Sequence, residues 1–224
     1  MNKRKNILVI PAASPKYEKS FSHVFNYNED GIINIIEGIL KMPYNEFEKI
    51  YVTITSVINS KYNIANRLIE ECVNNNIDNF EVVILDDSTR NQVETVFKTI
   101  SMDNNIDGGI FIKDADSIIQ INEIPDNDTV YTYKLENVDM IRPTTKSYVA
   151  KTNEDIVTNI IEKRVIGSEF CAGGYYFSDI FSFIDYCVEL SEYDNLYMSD
   201  LMFHSILNHN NIIKAELVEY FKEI

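Results

Sequence analysis

The chain has 224 residues, of which 45% are hydrophobic and 25% charged, and its formal net charge is -15. That apolar content excludes a disordered chain and suffices for a full core, most simply as one domain over residues 1–224. The excess of acid argues against sequence-independent nucleic-acid binding and against adhesion to an anionic membrane, since both need clustered Lys and Arg.

Ile7–Ile10 reads as a buried strand, followed by a polar loop from Pro11 to Asp30. Ile32, Ile33, Ile35, Ile36, Ile39 and Leu40 then recur at helical spacing. Ile50–Ile54 is a second strand with alternating β-branched residues, and Tyr62–Asn75 fits a helix with Ile64, Leu68, Ile69 and Cys72 on one face. Phe80–Leu85 is a third strand and ends in Asp86-Asp87. Thr89–Ile100 places Val93, Val96, Phe97 and Ile100 on one helical stripe, and Ile110–Ile112 is a fourth strand. This alternation predicts an α/β fold: a Rossmann-like, mostly parallel central sheet flanked by helices, with right-handed crossovers. Farther along, Thr129–Tyr133, Lys146–Ala150 and Gly174–Phe177 read as strands, Ile180–Leu190 and Met198–Leu207 as helices, and Ile212–Tyr220 as a closing strand. No repeat, low-complexity linker or domain boundary interrupts this order.

No uninterrupted apolar segment approaches the roughly 18–20 residues that span a bilayer. The basic start Met1–Lys5 is followed by an apolar run too short for a secretory signal, so the expected location is cytoplasmic. Cys72, Cys171 and Cys187 are odd in number and lack metal-type spacing, which predicts reduced thiols. His23, His204 and His209 form no metal-ligand pattern in the sequence. A Gly-x-Ser-x-Gly turn and a Gly-x-Gly-x-x-Gly turn are both missing, which argues against a serine hydrolase and a dinucleotide-binding enzyme.

The chemistry concentrates at the end of the fourth strand. Asp114 and Asp116 close the apolar run Ile110–Ile112, with Lys113 beside them. Acids at a strand end fall at the carboxyl edge of the sheet, where open α/β sheets bind ligands. An Asp-x-Asp pair suits a hard divalent ion whose other ligands are phosphates, although Asp is also common in plain turns.

The segments Ile7–Ala13, Phe47–Val52, Thr89–Val96, Ile112–Asp116, Lys146–Val149, Ile161–Lys163 and Ala172–Phe177 carry a resemblance in their order and spacing. The chain resembles the nucleotidyltransferase-like proteins of the sugar-nucleotide and capsule-precursor type, built on a glycosyltransferase-A-like fold. The resemblance implies transfer of a nucleotidyl group from a nucleoside triphosphate to a phosphorylated small-molecule acceptor, with Mg²⁺ or Mn²⁺ as cofactor and a homodimer allowed. It implies that Asp116 binds the metal with Asp114 close by, and that Glu223 on the closing strand is the second metal carboxylate. The family more often has Asp followed by Gly at that last place. Gln92 is then the candidate reader of the base, Lys163 the contact to the acceptor phosphate, and Asp200 a further wall of the acceptor pocket. Gly173 and Gly174 would let the backbone approach the substrate. Each of these has a plainer reading: Gln92 as a solvent-facing helix residue, Lys163 as a helix-end cation, Asp200 as a helix N-terminal acid, and the glycines as a bulge.

One departure from the family pattern stands out. Its members carry a Gly-rich loop with an Arg and a Pro-Lys pair after the first strand, which cradle the triphosphate. Here the loop Pro11–Ser20 has neither glycine nor arginine. Ala12, Ala13 and Ser14 are small enough for close approach to a nucleotide, and Lys16 or Lys19 can supply the cation, with Lys16 grouped with Asp116 and Lys163 as catalytic. The same loss fits two alternatives, a glycosyltransferase with a nucleotide-sugar donor and a catalytically degenerate nucleotide-binding relative.

Overall fold

The computed structural model describes residues 5–19, 23–103, 106–138 and 145–224. Residues 1–4 of the basic start and Ser20 at the end of the glycine-free loop lie outside the described residues.

Strand β1 (Ile7–Pro11) is buried throughout, with Leu8 and Ile10 in one core and Ile7 and Val9 in the other. A strand that is apolar on both faces needs a covered layer on each side. After it come α1 (Pro15–Lys19), α2 (Asn34–Leu40) and β2 (Lys49–Thr55). The helix expected over 62–75 is α4 (Ile64–Asn74), and a further helix that the periodicity does not show, α3 (Ser56–Tyr62), precedes it, the two separated by Asn63 at a left-handed φ of 51°. Asn tolerates that conformation better than most residues, so periodicity alone does not reveal the break. Next are β3 (Phe80–Leu85), α5 (Gln92–Ile100) and β4 (Ile110–Lys113). The Asn91 side chain accepts the Glu94 backbone N–H at 2.9 Å, which caps α5 and starts it after Thr89.

The second half contains β5 (Ser117–Ile119), β6 (Thr129–Lys134), β7 (Ser147–Lys151), β8 (Val157–Glu162) and β9 (Glu169–Phe177). It ends with α6 (Ile180–Glu189), α7 (Met198–His209), β10 (Lys214–Leu217) and β11 (Phe221–Glu223). The closing strand expected over 212–220 is the shorter β10, and a separate strand, β11, follows it with a different partner. β10 pairs with β6 in the main sheet, while β11 pairs with β5 in a separate two-stranded sheet.

The main sheet runs β10-β6-β9-β4-β1-β2-β3, and β7 joins it through β9 and carries β8. Along that path only β9 opposes the other described strands, since it is antiparallel to both β4 and β6. The sheet is therefore mostly parallel, as the alternating order predicts. Residues of α2 and α4 pack into the core on one face, and those of α5, α6 and α7 into the core on the other. Among the described residues, no helix is long and apolar enough to cross a membrane.

Among the described residues, Lys113 is the one charged residue that is completely inaccessible, at 0% exposure. Its ammonium donates to the carbonyl of Asp114 at 2.7 Å and to the carbonyl of Ser117. The room for it comes from α2, where Gly38 faces the lysine; a Cβ there would lie 3.0 Å from its Cε. Burial pulls the Lys113 pKa down to about 8 while the charges of Asp114 and Asp116 oppose that fall, so the group is still protonated at neutral pH. The lysine thus ties both ends of the turn between β4 and β5 together.

Two outcomes follow from this packing. Lys113→Met leaves two buried carbonyls without a donor and is expected to lower unfolding stability by about 1–3 kcal/mol, read by denaturant titration. All three cysteines are buried, and burial raises Cys72 and Cys187 to about 12. The native protein at pH 8 is therefore expected to react with a thiol reagent about a thousandfold more slowly than a free cysteine, and to release three thiols in guanidinium.

Candidate active site

An open cleft of about 420 Å³ lies at the carboxyl edge of β1 and β4. Three chain segments bring polar side chains into it. The turn after β4 presents Asp114 and Asp116, the segment after β1 presents Ser14, Lys16 and Tyr17, and the start of α5 presents Asn91 and Gln92. Placement at this edge follows from topology, because β1 and β4 are parallel neighbours and both end there.

The two aspartates are held differently. The Gln92 side-chain amide donates to Asp114 Oδ1, and the Asp114 backbone N–H donates to the Gly173 carbonyl at 2.7 Å. Burial is the main force raising the Asp114 pKa, and the neighbouring Asp116 charge adds to it. Asp116 is also penalised by burial, but Lys16 outweighs that penalty and holds the carboxyl below its ordinary value. The Lys16 ammonium sits 2.7 Å from Asp116 Oδ2 and 4.8 Å from the centre of the Tyr17 ring. Two carboxylates only two positions apart in sequence are thereby driven in opposite directions.

The other predicted residues fall into two groups. Glu223 lines the cleft, because β11 pairs in register with β5 and sets Glu223 opposite Ser117. Its carboxylate is 3.0 Å from Lys146 Nζ, and the Ile224 N–H donates to the Asp116 carbonyl at 3.0 Å. Ala12 and Ala13 do not face the cleft; both are buried, with the Ala12 N–H donating to Thr53 O at 2.8 Å and Ala13 O accepting from the Thr89 N–H at 3.1 Å. Gly173 and Gly174 belong to β9 and serve contact between strands. Gly173 has φ +87°, and a Cβ on it would meet Ser117 Oγ at 2.4 Å and Asp114 Oδ2 at 2.9 Å. Any larger residue there would push the aspartate turn out of place.

Asp200 and Lys163 lie behind the walls. Asp200 accepts the Tyr197 backbone N–H at 2.9 Å and so caps α7, which is the helix N-terminal role, not a pocket wall. Lys163 follows a strand, β8, and not a helix; its φ is 57° and its ammonium donates to the Tyr197 hydroxyl, which does border the cleft.

Sequence reasoning missed Lys146 and Glu162 as cleft residues. Lys146 side chain is 16% exposed and contributes positive charge to Asp114, Asp116 and Glu223 at once. Glu162 is fixed by the hydroxyls of Ser147 and Ser199, the latter at 3.1 Å. Both residues sit at ends of the β7–β8 hairpin, and recognising that hairpin was the signal needed.

Asp114, Asp116 and Glu223 offer carboxylate oxygens, the donor type that a hard divalent cation such as Mg²⁺ or Mn²⁺ takes, but with Lys16 and Lys146 on two of them the three do not converge within 4.8 Å of one another. Lys16 on Asp116 and Lys146 on Glu223 place positive charge where such an ion would place it.

No protein-family model matches the sequence, and no curated protein matches it. Solved structures do match its fold. A nucleoside-diphosphate-sugar pyrophosphorylase from Vibrio cholerae superposes with a TM-score of 0.72 at 15% identity, over 94% of this chain and 91% of that one. An inositol-1-phosphate CTP transferase from T. maritima gives 0.71 at 15% identity, over 100% and 90% of the two chains. HddC from Yersinia pseudotuberculosis gives 0.61 at 11% identity, over 98% and 93%. The chain therefore has, along nearly its whole length, the fold of a nucleoside-diphosphate-sugar pyrophosphorylase and a CTP transferase.

Proposed function

We propose that the chain is a divalent-metal-dependent nucleotidyltransferase. A phosphate oxygen of a phosphorylated sugar or related polyol attacks the α-phosphorus of a nucleoside triphosphate. A new P–O bond forms as the bond to the β-phosphate oxygen breaks, and pyrophosphate leaves with that electron pair. The product is an activated precursor of the kind that surface-polysaccharide assembly consumes. The observation that carries this reading is the convergence in one carboxyl-edge cleft of Asp114, Asp116 and Glu223 with two lysines from distant segments, Lys16 and Lys146.

Asp116, Asp114 and Glu223 are the residues that would hold Mg²⁺ or Mn²⁺, which when bound supplies positive charge to the phosphate oxygens. The remaining work is positioning. Lys16 is paired with a carboxylate 2.7 Å away, and phosphate oxygens are the natural exchange partners for such a charge. In this reading it takes the part of the missing Gly-rich loop's cation, while Ser14 borders the path of the phosphates. Gln92 has an amide with both donor and acceptor for a base edge. Glu162 and Tyr197 border the acceptor end in this reading, with Lys163 behind them donating to the Tyr197 hydroxyl.

In a melting assay, one of the four nucleoside triphosphates with Mg²⁺ should raise the transition temperature by several degrees, and Asp116→Asn should remove the effect. A screen of that triphosphate against phosphorylated sugars and polyols should release pyrophosphate, with Asp116→Asn slower by about a hundredfold or more. If no triphosphate shifts melting, the reading fails. Stabilisation by UDP or GDP with Mn²⁺, but not by triphosphates, would reassign the cleft to glycosyl transfer. Lys16→Met should raise the triphosphate KM about 10–100-fold, the loss expected for a charged hydrogen bond of about 1.5–3 kcal/mol.

A further inference from the structure

Away from the cleft, the two histidines that show no ligand pattern in the sequence converge. His204 and His209 lie five residues apart on α7, roughly 140° out of phase on an ideal helix, so no i, i+4 signal marks them. His209 is the last residue of α7, before Asn210 turns left-handed with φ 53°. Both rings meet Glu189, the last residue of α6. Glu189 Oε2 is 2.5 Å from His204 Nε2 and 2.9 Å from His209 Nε2. One ligand atom from each residue lies within 4.8 Å of the other two, and among the described residues no other group of three His, Cys, Asp or Glu comes together this way.

The surroundings organise the rings. Tyr186, one helical turn before Glu189 on α6, packs on both imidazoles, with ring centres 6.0 Å from His204 and 4.8 Å from His209. The His204 side chain is only 15% exposed, while His209 and Glu189 remain open at 35% and 43%. The far nitrogen of His204, Nδ1, is 2.7 Å from the Asn208 side-chain amide. That contact is the outer-shell partner a metal-bound imidazole requires, because coordination through Nε2 leaves the proton on Nδ1. A half-turn of the Asn208 amide presents its oxygen to that proton, and amide nitrogen and oxygen occupy equivalent positions.

We propose that Glu189, His204 and His209 form a binding site for a borderline transition-metal dication, Zn²⁺ first among them. Two imidazole nitrogens and one carboxylate oxygen make a three-ligand set with a fourth position left to water. The ion would take the place of the contacts between the two Nε2 atoms and Glu189 Oε2, with each neutral imidazole in its Nδ1–H tautomer. It clasps the last turns of α6 and α7, whose connecting segment carries Asp194, ion-paired with Arg90 at 3.1 Å, and the cleft residues Leu196 and Tyr197. Hard Mg²⁺ has no preference for this donor set, so the site is chemically separate from Asp114 and Asp116.

The test is Zn²⁺ titration of the chelator-stripped full chain against a chromophoric competitor, with melting followed in parallel. One equivalent should bind with micromolar or tighter affinity and raise the melting temperature. His204→Gln and His209→Gln should each weaken binding at least tenfold, and the double variant at least a hundredfold, whereas Asp116→Asn should leave it unchanged. X-ray absorption on the wild-type zinc complex gives a readout that no folding defect of a variant can mimic, and should show two imidazoles in the first coordination sphere. Binding that is lost in Asp116→Asn but kept in the double histidine variant, a first sphere without imidazole, or no binding at 100 µM Zn²⁺ would overturn the proposal.

Discussion

A buried ammonium holds the centre of this molecule in place. Lys113 occupies the last position of β4, where the strand pattern would otherwise put an apolar side chain, and it turns its charge back onto the turn that follows. Desolvating a lysine is unfavourable by several kcal/mol unless its protons are satisfied. Two carbonyls satisfy two of them, and the pair of nearby carboxylates supplies opposing charge. The exchange sets the orientation of Asp114 and Asp116. Their backbone is closed from one side by Lys113 and from the other by Gly173, whose carbonyl takes the Asp114 N–H. Gly38 and Gly173 are therefore packing requirements of the same turn, although they lie on α2 and β9.

The cleft built on that turn brings cations and carboxylates together. With a net charge of -15, the protein as a whole repels phosphates, and attraction has to be arranged locally. Lys16 and Lys146 do this from opposite walls, each against a different carboxylate. Both pairs are partly open to solvent, so neither contributes much to stability. Ion pairs of that kind exchange partners at little cost, which is compatible with the phosphate-handling role proposed above.

Much of the fold was legible because it depends on burial. β1, β2, β4 and the stripe on α5 are apolar at the positions the cores require, and such patterns survive in a single sequence. The failures share one cause, local geometry that polar residues set. Asn63 separates α3 from α4 through a left-handed backbone, β5 and β11 are three-residue strands that exist only by pairing with each other, and β8 has mixed exposure that hides its alternation. At the site, Asp114 and Asp116 were legible as a strand-end pair and Lys16 as the nearest cation. Lys146 and Glu162 were not, because the hairpin that carries them reaches the cleft only through the long-range pairing of β7 with β9. Asp200 was misassigned to the pocket for a related reason. An acid near a helix start looks the same in sequence whether it faces a ligand or the backbone N–H of Tyr197.

The cluster at the ends of α6 and α7 was invisible for a further reason. Metal-ligand patterns in sequence rely on ligands sharing a strand, a knuckle or a helix face, and here the three ligands come from two helices at non-periodic spacing. Their convergence matters to the cleft through the chain between them. Tyr197 begins α7 and places its hydroxyl against Lys163, while Asp194 in the same segment holds Arg90 just ahead of Gln92. The proposed ion would join the C-terminal ends of the two helices, and the α6 end is where residues 190–197 begin, so it would anchor that segment, which carries the cleft residues Leu196 and Tyr197.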